Sequence, residues 1–230
     1  MPIRTFGAAL IALLAGVAPA SANFLVIGSN PTTELAVPFG LASDGAGDPS
    51  NRYQQVFSSS LFGPGRIAIT SLTLYAQGQG AGGAFNPVTY NFSLSTTSVG
   101  VGALDPANFS ANAGPDAALF ASITPTGNAP PTLTINSASP FLYDPSRGNL
   151  LLDIGIVGQR LDAGFLGASF DGQADFGGLS SSADNFGGNV PTSGLSLGIT
   201  YNIVVPEPPS LILGAVGGAF ACLALRRKAG

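Results

Sequence analysis

Along residues 88–95 apolar and polar side chains alternate one for one. Val88, Tyr90, Phe92 and Leu94 fall on one face of an extended chain, and Thr89, Asn91, Ser93 and Ser95 on the other. Successive side chains of a β-strand point to opposite faces, so this segment predicts a strand buried on one side. Leu195, Leu197, Ile199, Tyr201 and Ile203 repeat the pattern. Between residues 66 and 75 the apolar parity switches, from Ile67 and Ile69 to Leu72 and Leu74, which predicts a β-bulge near Thr70 and Ser71. Residues 149–157 carry Leu150, Leu152, Ile154 and Ile156 on one face and Leu151 and Val157 on the other, the pattern of a central strand covered on both sides.

Shorter strands are expected at 24–28, 53–57, 117–123, 132–136 and 164–170, separated by clusters of Gly, Pro, Asn and Asp. A short helix fits 106–112, and the stretches 78–86 and 171–194 read as loops. Residues 140–148 read as a structured turn: Asp144-Pro145 starts it, Gly148 supplies an unusual backbone angle, and Phe141 and Leu142 can tuck inward. Arg147 can pair there with Asp144 or Asp153. Regularly spaced strands with such turns predict an all-β fold, a single antiparallel β-sandwich of jelly-roll type spanning residues 23–204.

The two ends follow a different pattern. Arg4, the apolar run Phe6 to Val17 and the small residues Ala20-Ser21-Ala22 make residues 1–22 a secretory signal helix, with cleavage at Ala20 and Ala22 leaving Asn23 first. At the other end Val205, Pro206, Glu207 and Pro208 form a stiff acidic motif. An apolar helix at 211–225 follows, and Arg226, Arg227 and Lys228 form a basic membrane stop at 226–228. Leu211 to Leu225 spans about 22 Å at the helical rise per residue, short of a hydrocarbon core of about 30 Å. Gly214, Gly217 and Gly218 weaken the segment further, so it suits a transmembrane helix held only until processing better than a permanent anchor. Cations that stay in the cytoplasm would leave the domain outside.

The tail 205–230 resembles the PEP-CTERM sorting signal of Gram-negative bacteria: Val205, Pro206, Glu207 and Pro208, then the apolar helix, then Arg226, Arg227 and Lys228. The resemblance implies that the chain is a substrate of an exosortase, a membrane transpeptidase-like enzyme that cuts near the motif and releases or transfers its substrate at the cell surface. It also implies an association with exopolysaccharide, because sorting systems of this kind accompany polysaccharide production. The stretch from Arg52-Tyr-Gln-Gln-Val-Phe through Ile69-Thr-Ser-Leu-Thr-Leu to the 140–154 segment is similar to the bodies of many exported PEP-CTERM proteins.

Composition removes most chemistry. Across residues 23–205 four arginines face ten Asp and Glu34, a net charge of −7, with no Lys; such a domain repels nucleic-acid phosphates. The 230-residue chain has no His and no Trp, and its one cysteine, Cys222, lies in the apolar tail. Disulfides within the exported domain, Cys/His metal sites and Ser-His or Ser-Lys nucleophiles are all excluded. A pair of carboxylates could still hydrolyse a glycan, although Asp in the turns of a glycine-rich β protein explains the same residues.

Tyr53, Gln54 and Gln55 are the candidate ligand-binding residues, as an aromatic face beside polar groups suits a sugar. No cofactor is expected, but Asp171, Asp175 and Asp184 offer oxygen ligands for calcium, and Asp44 with Asp48 forms a second acidic cluster. The expected role is that of an exported cell-surface or extracellular-matrix structural or adhesive protein, not an enzyme. A carbohydrate-binding or calcium-stabilised module and a carboxylate-dependent hydrolase are the alternatives. The expected partners are the export machinery with its signal peptidase, an exosortase-like enzyme and exopolysaccharide.

Overall fold

A computed structural model describes residues 22–28, 33–35, 38–39, 52–76, 83–158, 167–174, 176–184, 188–190 and 193–205. The expected signal helix and the expected apolar helix at 211–225 lie outside these residues. Among the described residues, no helix is long and apolar enough to cross a membrane.

Among the described residues thirteen strands carry the fold: β1 (Asn23–Ile27), β2 (Thr33–Leu35), β3 (Arg52–Phe57), β4 (Ile67–Tyr75), β5 (Thr89–Thr97), β6 (Ala118–Ile123), β7 (Thr132–Tyr143), β8 (Asn149–Val157), β9 (Phe170–Gln173), β10 (Ser180–Asp184), β11 (Gly188–Val190), β12 (Gly194–Leu195) and β13 (Leu197–Ile203). A single helical turn, α1 (Phe109–Asn112), interrupts the connection from β5 to β6. Every pairing between these strands is antiparallel. One sheet runs β1-β13-β4-β7, a second runs β11-β10-β3-β8-β5-β6, and a third, small one runs β12-β9-β2. The fold is all-β, as the alternation predicts.

Both larger sheets contribute to one apolar cluster. Ile69, Leu72 and Leu74 of β4, Ile135 of β7 and Ile199 of β13 join Phe57 of β3, Phe92 and Leu94 of β5 and Leu152 and Ile154 of β8, all essentially solvent-free. Phe39 and Phe170 complete it, their rings 4.8 Å apart at 62°, and Phe39 also lies 4.9 Å from Tyr90. The carbonyl of Phe39 accepts from Asn86 Nδ2 and from Tyr90 Oη, each at 3.2 Å, which ties the 38–39 turn to the core.

The bulge falls where the parity switch places it: the pairing of β4 with β7 skips Thr70, and the pairing with β13 shifts between Thr200 and Tyr201. β8 is flanked by β3 and β5, with Leu150, Leu152, Ile154 and Ile156 on the main core and Leu151 on a second, smaller cluster, whereas Val157, expected to be covered with Leu151, is exposed at the strand's end.

Three further expectations need correction. Residues 171–194 are not one loop, since β9 to β12 fall within or across them. β7 is more than twice the expected length and runs through Pro140, which an edge strand tolerates because its missing N–H needs no partner there. Leu142 does not tuck inward: it pairs with Ala68 on the side of β7 away from the core and stays 53% exposed, while its neighbours Phe141 and Tyr143 are buried. Beyond β7, a 3-10 turn at Pro145–Arg147 leads to Gly148 at φ 151°, where a Cβ would sit 2.4 Å from the carbonyl oxygen of Thr97. Only glycine fits both constraints.

Candidate functional site

Alternation sends Tyr53 and Gln55 of β3 to the main core and Arg52, Gln54 and Val56 to the opposite side of the same sheet. The three candidate ligand residues are therefore separated. None of them faces solvent, for Tyr53 is 1% exposed and both glutamines 0%. Tyr53 Oη donates to Gln55 Oε1 at 2.7 Å and accepts from the Leu195 N–H at 3.1 Å. Gln55 Nε2 donates to Ser180 Oγ at 3.0 Å and to the Leu195 carbonyl at 3.1 Å. Together these bonds stitch β12 onto β3, and Gly194 is needed beside them because a Cβ there would meet the Gln55 amide at 2.5 Å. Burial holds the Tyr53 phenol protonated far above its ordinary range.

On the other side Arg52 and Asp153 form an ion pair through both carboxylate oxygens, with Nε donating to Oδ1 at 2.7 Å. Asp153 Oδ2 also accepts from Gln54 Nε2 at 2.8 Å, and Gln54 Oε1 accepts from Asn112 Nδ2 at 2.8 Å. Asn112, 2% exposed, closes the network by donating to the Asp105 carbonyl at 3.0 Å and accepting from the Asp105 N–H at 3.0 Å. The hydrogen bond to Asp153 is the largest of the influences that raise the Arg52 pKa. Arg52 also lies over the Phe109 ring, 6.0 Å from its centre. Arg147 therefore does not meet Asp153, whose oxygens are already committed.

The carboxylates proposed for calcium lie on different elements: Asp171 on β9 and Asp184 on β10, both buried and neither of them free. Asp175, Asp44 and Asp48 lie outside the described residues. Among the described residues no three carboxylates converge as a metal site would require. The other acidic residues serve the backbone. Asp105 Oδ1 accepts from the N–H groups of Ala107 and Asn108 at 2.9 and 3.2 Å. Asp144 Oδ1 accepts from Ser146 Oγ at 2.6 Å and Ser146 N at 3.0 Å, which depresses its pKa. Asp116 Oδ1 accepts from Thr96 N at 2.7 Å.

Two surface clefts share Asp116. One, of about 290 Å³, runs between the edge strands β6 and β7 and is mainly apolar, with Leu119, Phe120, Pro140, Phe141 and Leu142. The other, of about 230 Å³, is polar, with Thr96, Thr97, Ser98 and the exposed Arg147. Such a surface can hold a neutral or amphipathic ligand by contact and hydrogen bonding.

Of the terminal residues, Ala22, Asn23 and Val205 are described, and Ala20, Pro206, Glu207, Pro208, Arg226, Arg227 and Lys228 lie outside. Asn23 pairs with Tyr201, and the Val204 N–H donates to the Arg66 carbonyl at 2.9 Å. The first described residues and the last therefore leave the same end of the four-stranded sheet. No protein-family profile, curated protein or solved structure matches the chain.

Proposed function

We propose that the chain is an exported cell-surface or extracellular-matrix protein with a structural or adhesive role, delivered by processing of a PEP-CTERM-type tail. In this reading the four- and six-stranded sheets pack face to face as a jelly-roll-like sandwich around their shared cluster. The supporting observation is the fit between strand boundaries and sequence signals. β1 starts at Asn23, the residue expected to follow signal cleavage, and β13 stops at Ile203, two residues short of the Val205-Pro-Glu-Pro motif. A cut at either end would leave the paired strands whole.

A hydrolase is the weaker reading. Asp105, Asp116, Asp144 and Asp153 are each engaged in turns, backbone contacts or the pair with Arg52, and a glycosidase needs two carboxylates facing one bond. The test is mass determination of the protein from its native host. A chain that begins at Asn23 and lacks the apolar segment supports the reading, and any added mass separates attachment from release. A chain intact through Gly230 overturns tail processing.

A further inference from the structure

Among the described residues, the strands of the four-stranded sheet carry no charged side chain. Across its strands the register sets Val26, Gly198, Thr73 and Thr134 in one row and Phe24, Thr200, Ser71 and Asn136 in the next. Tyr75 and Thr132 pair at its border. In a domain with a net charge of −7 the accessible part of this face is uncharged: the Thr132, Thr134 and Thr200 hydroxyls, the Asn136 amide, Val26 and two aromatic rings, with Ser71 and Thr73 buried among them.

Gly198 sets the shape of this surface. β13 lies between β1 and β4, and a Cβ at Gly198 would sit 2.6 Å from Tyr75 Oη and 2.8 Å from Phe24 Cζ. The two side chains thus lean across the glycine from opposite strands and meet over it, which a larger residue would prevent. Phe24 remains 57% exposed and Val26 40%, so the apolar surface is open to solvent. Beside it the Thr73 and Thr134 hydroxyls stand 3.4 Å apart.

We infer that this face binds a neutral polysaccharide, its sugar rings stacked on Phe24 and Tyr75 and its hydroxyl groups bonded to Thr134, Thr200 and Asn136. Pyranose rings present apolar C–H faces bordered by hydroxyls, which is the complement of aromatic rings bordered by hydroxyls and an amide. An anionic glycan would gain no counter-charge here and would approach an acidic domain. The inference deepens the proposed function by naming its ligand, and it rests on that reading for the setting in which the glycan is met.

The full-length chain, held in mild detergent, is tested for retention on microcrystalline cellulose and on chitin, with alginate as the anionic control. Retention on a neutral polymer that weakens roughly tenfold in Phe24→Ala, with an unchanged unfolding midpoint, is the expected result. Absence of retention on both neutral polymers overturns the inference, and so does equal retention of the wild type and Phe24→Ala. Light scattering supplies the remaining outcome: if Phe24→Ala abolishes self-association instead, the face joins two copies of the chain and the glycan assignment fails. None of these outcomes depends on tail processing, so a failure here leaves the mass measurement to decide export separately.

Discussion

The two larger sheets treat their outer faces in opposite ways. On the six-stranded sheet the connection from β5 to β6 lies across Val56, Leu151 and Ala183, placing Leu104 with them in a closed cluster and packing Val99, Val101, Phe109 and Ala113 around it. Hydrogen bonds hold the cover down, among them Thr97 Oγ1 to the Asn112 carbonyl at 2.6 Å, Asn149 Nδ2 to the Val99 carbonyl at 2.9 Å and Gly102 N to Ser181 Oγ at 2.8 Å. On the four-stranded sheet the corresponding face shows hydroxyls, an amide and two rings. The sheets differ in what alternation leaves for the outside. β8 is apolar on both faces and needs a cover, whereas β4 carries Ser71, Thr73 and Tyr75 on its outer side, the two small polar residues buried and the ring half-buried. A buried outer face is part of the domain's stability, and an open one is available for contact.

The sharpest way to break the contrast is to empty the covered cluster. Leu151→Ala should cost about 3 kcal/mol, the range for a fully buried leucine, seen as a lower midpoint in urea unfolding. If the cover were a loose loop, the loss would stay below about 1 kcal/mol. Asp153→Ala comes next, at about 2 kcal/mol. It removes one partner of Gln54, which keeps its bonds to the Phe109 carbonyl and Asn112, and the main partner of Arg52, but the arginine reaches solvent, so the cost falls short of that for a fully buried pair. Thermal unfolding of the variant checks it.

Alkaline pH gives a smaller effect. Burial raises the Tyr53 phenol far above the unfolded value near 10, so unfolding releases its proton. Its contribution is fully present below about pH 10 and is lost as pH rises, by about 1 kcal/mol at pH 11. Melting temperatures across that range should fall, and less steeply in Tyr53→Phe. Burial lifts Tyr75, on the open face, far less, so Tyr75→Phe should remove a phenolate absorbance step at lower pH than Tyr53→Phe does. The smallest change is Phe24→Ala, expected within about 0.5 kcal/mol of the wild type in the same urea assay.

How much of this was legible depends on whether an apolar side chain marks the position. The alternation of β5 and β13, the bulge in β4 and the double-sided burial of β8 were all written in branched and aromatic residues. Ser180, Ser181 and Ser182 were not: all three are buried in β10, yet a serine run between glycines carries no hydrophobic signal. The same ambiguity misplaced the ligand site. Tyr53, Gln54 and Gln55 look like a polar surface when read in line, but strand geometry sends them to opposite sides, where they bond partners about 140 and 58 positions away in the chain, Leu195 and Asn112. Asn112, Asp116 and Phe39 gave no local sign, because each acts through contacts that only the tertiary structure creates. The cover over β8 was missed because its apolar residues follow no strand or helix period.

β13 ends where the Pro-Glu-Pro segment begins, and it is an interior strand, bonded to β1 on one side and β4 on the other. Tension applied at residue 205 would enter the domain along the axis of that strand. The inter-strand hydrogen bonds run perpendicular to the axis, so they would be loaded together in shear rather than peeled one after another. A domain pulled from this point would bear the load on an interior strand bonded on both sides, rather than on an edge strand that can be peeled away.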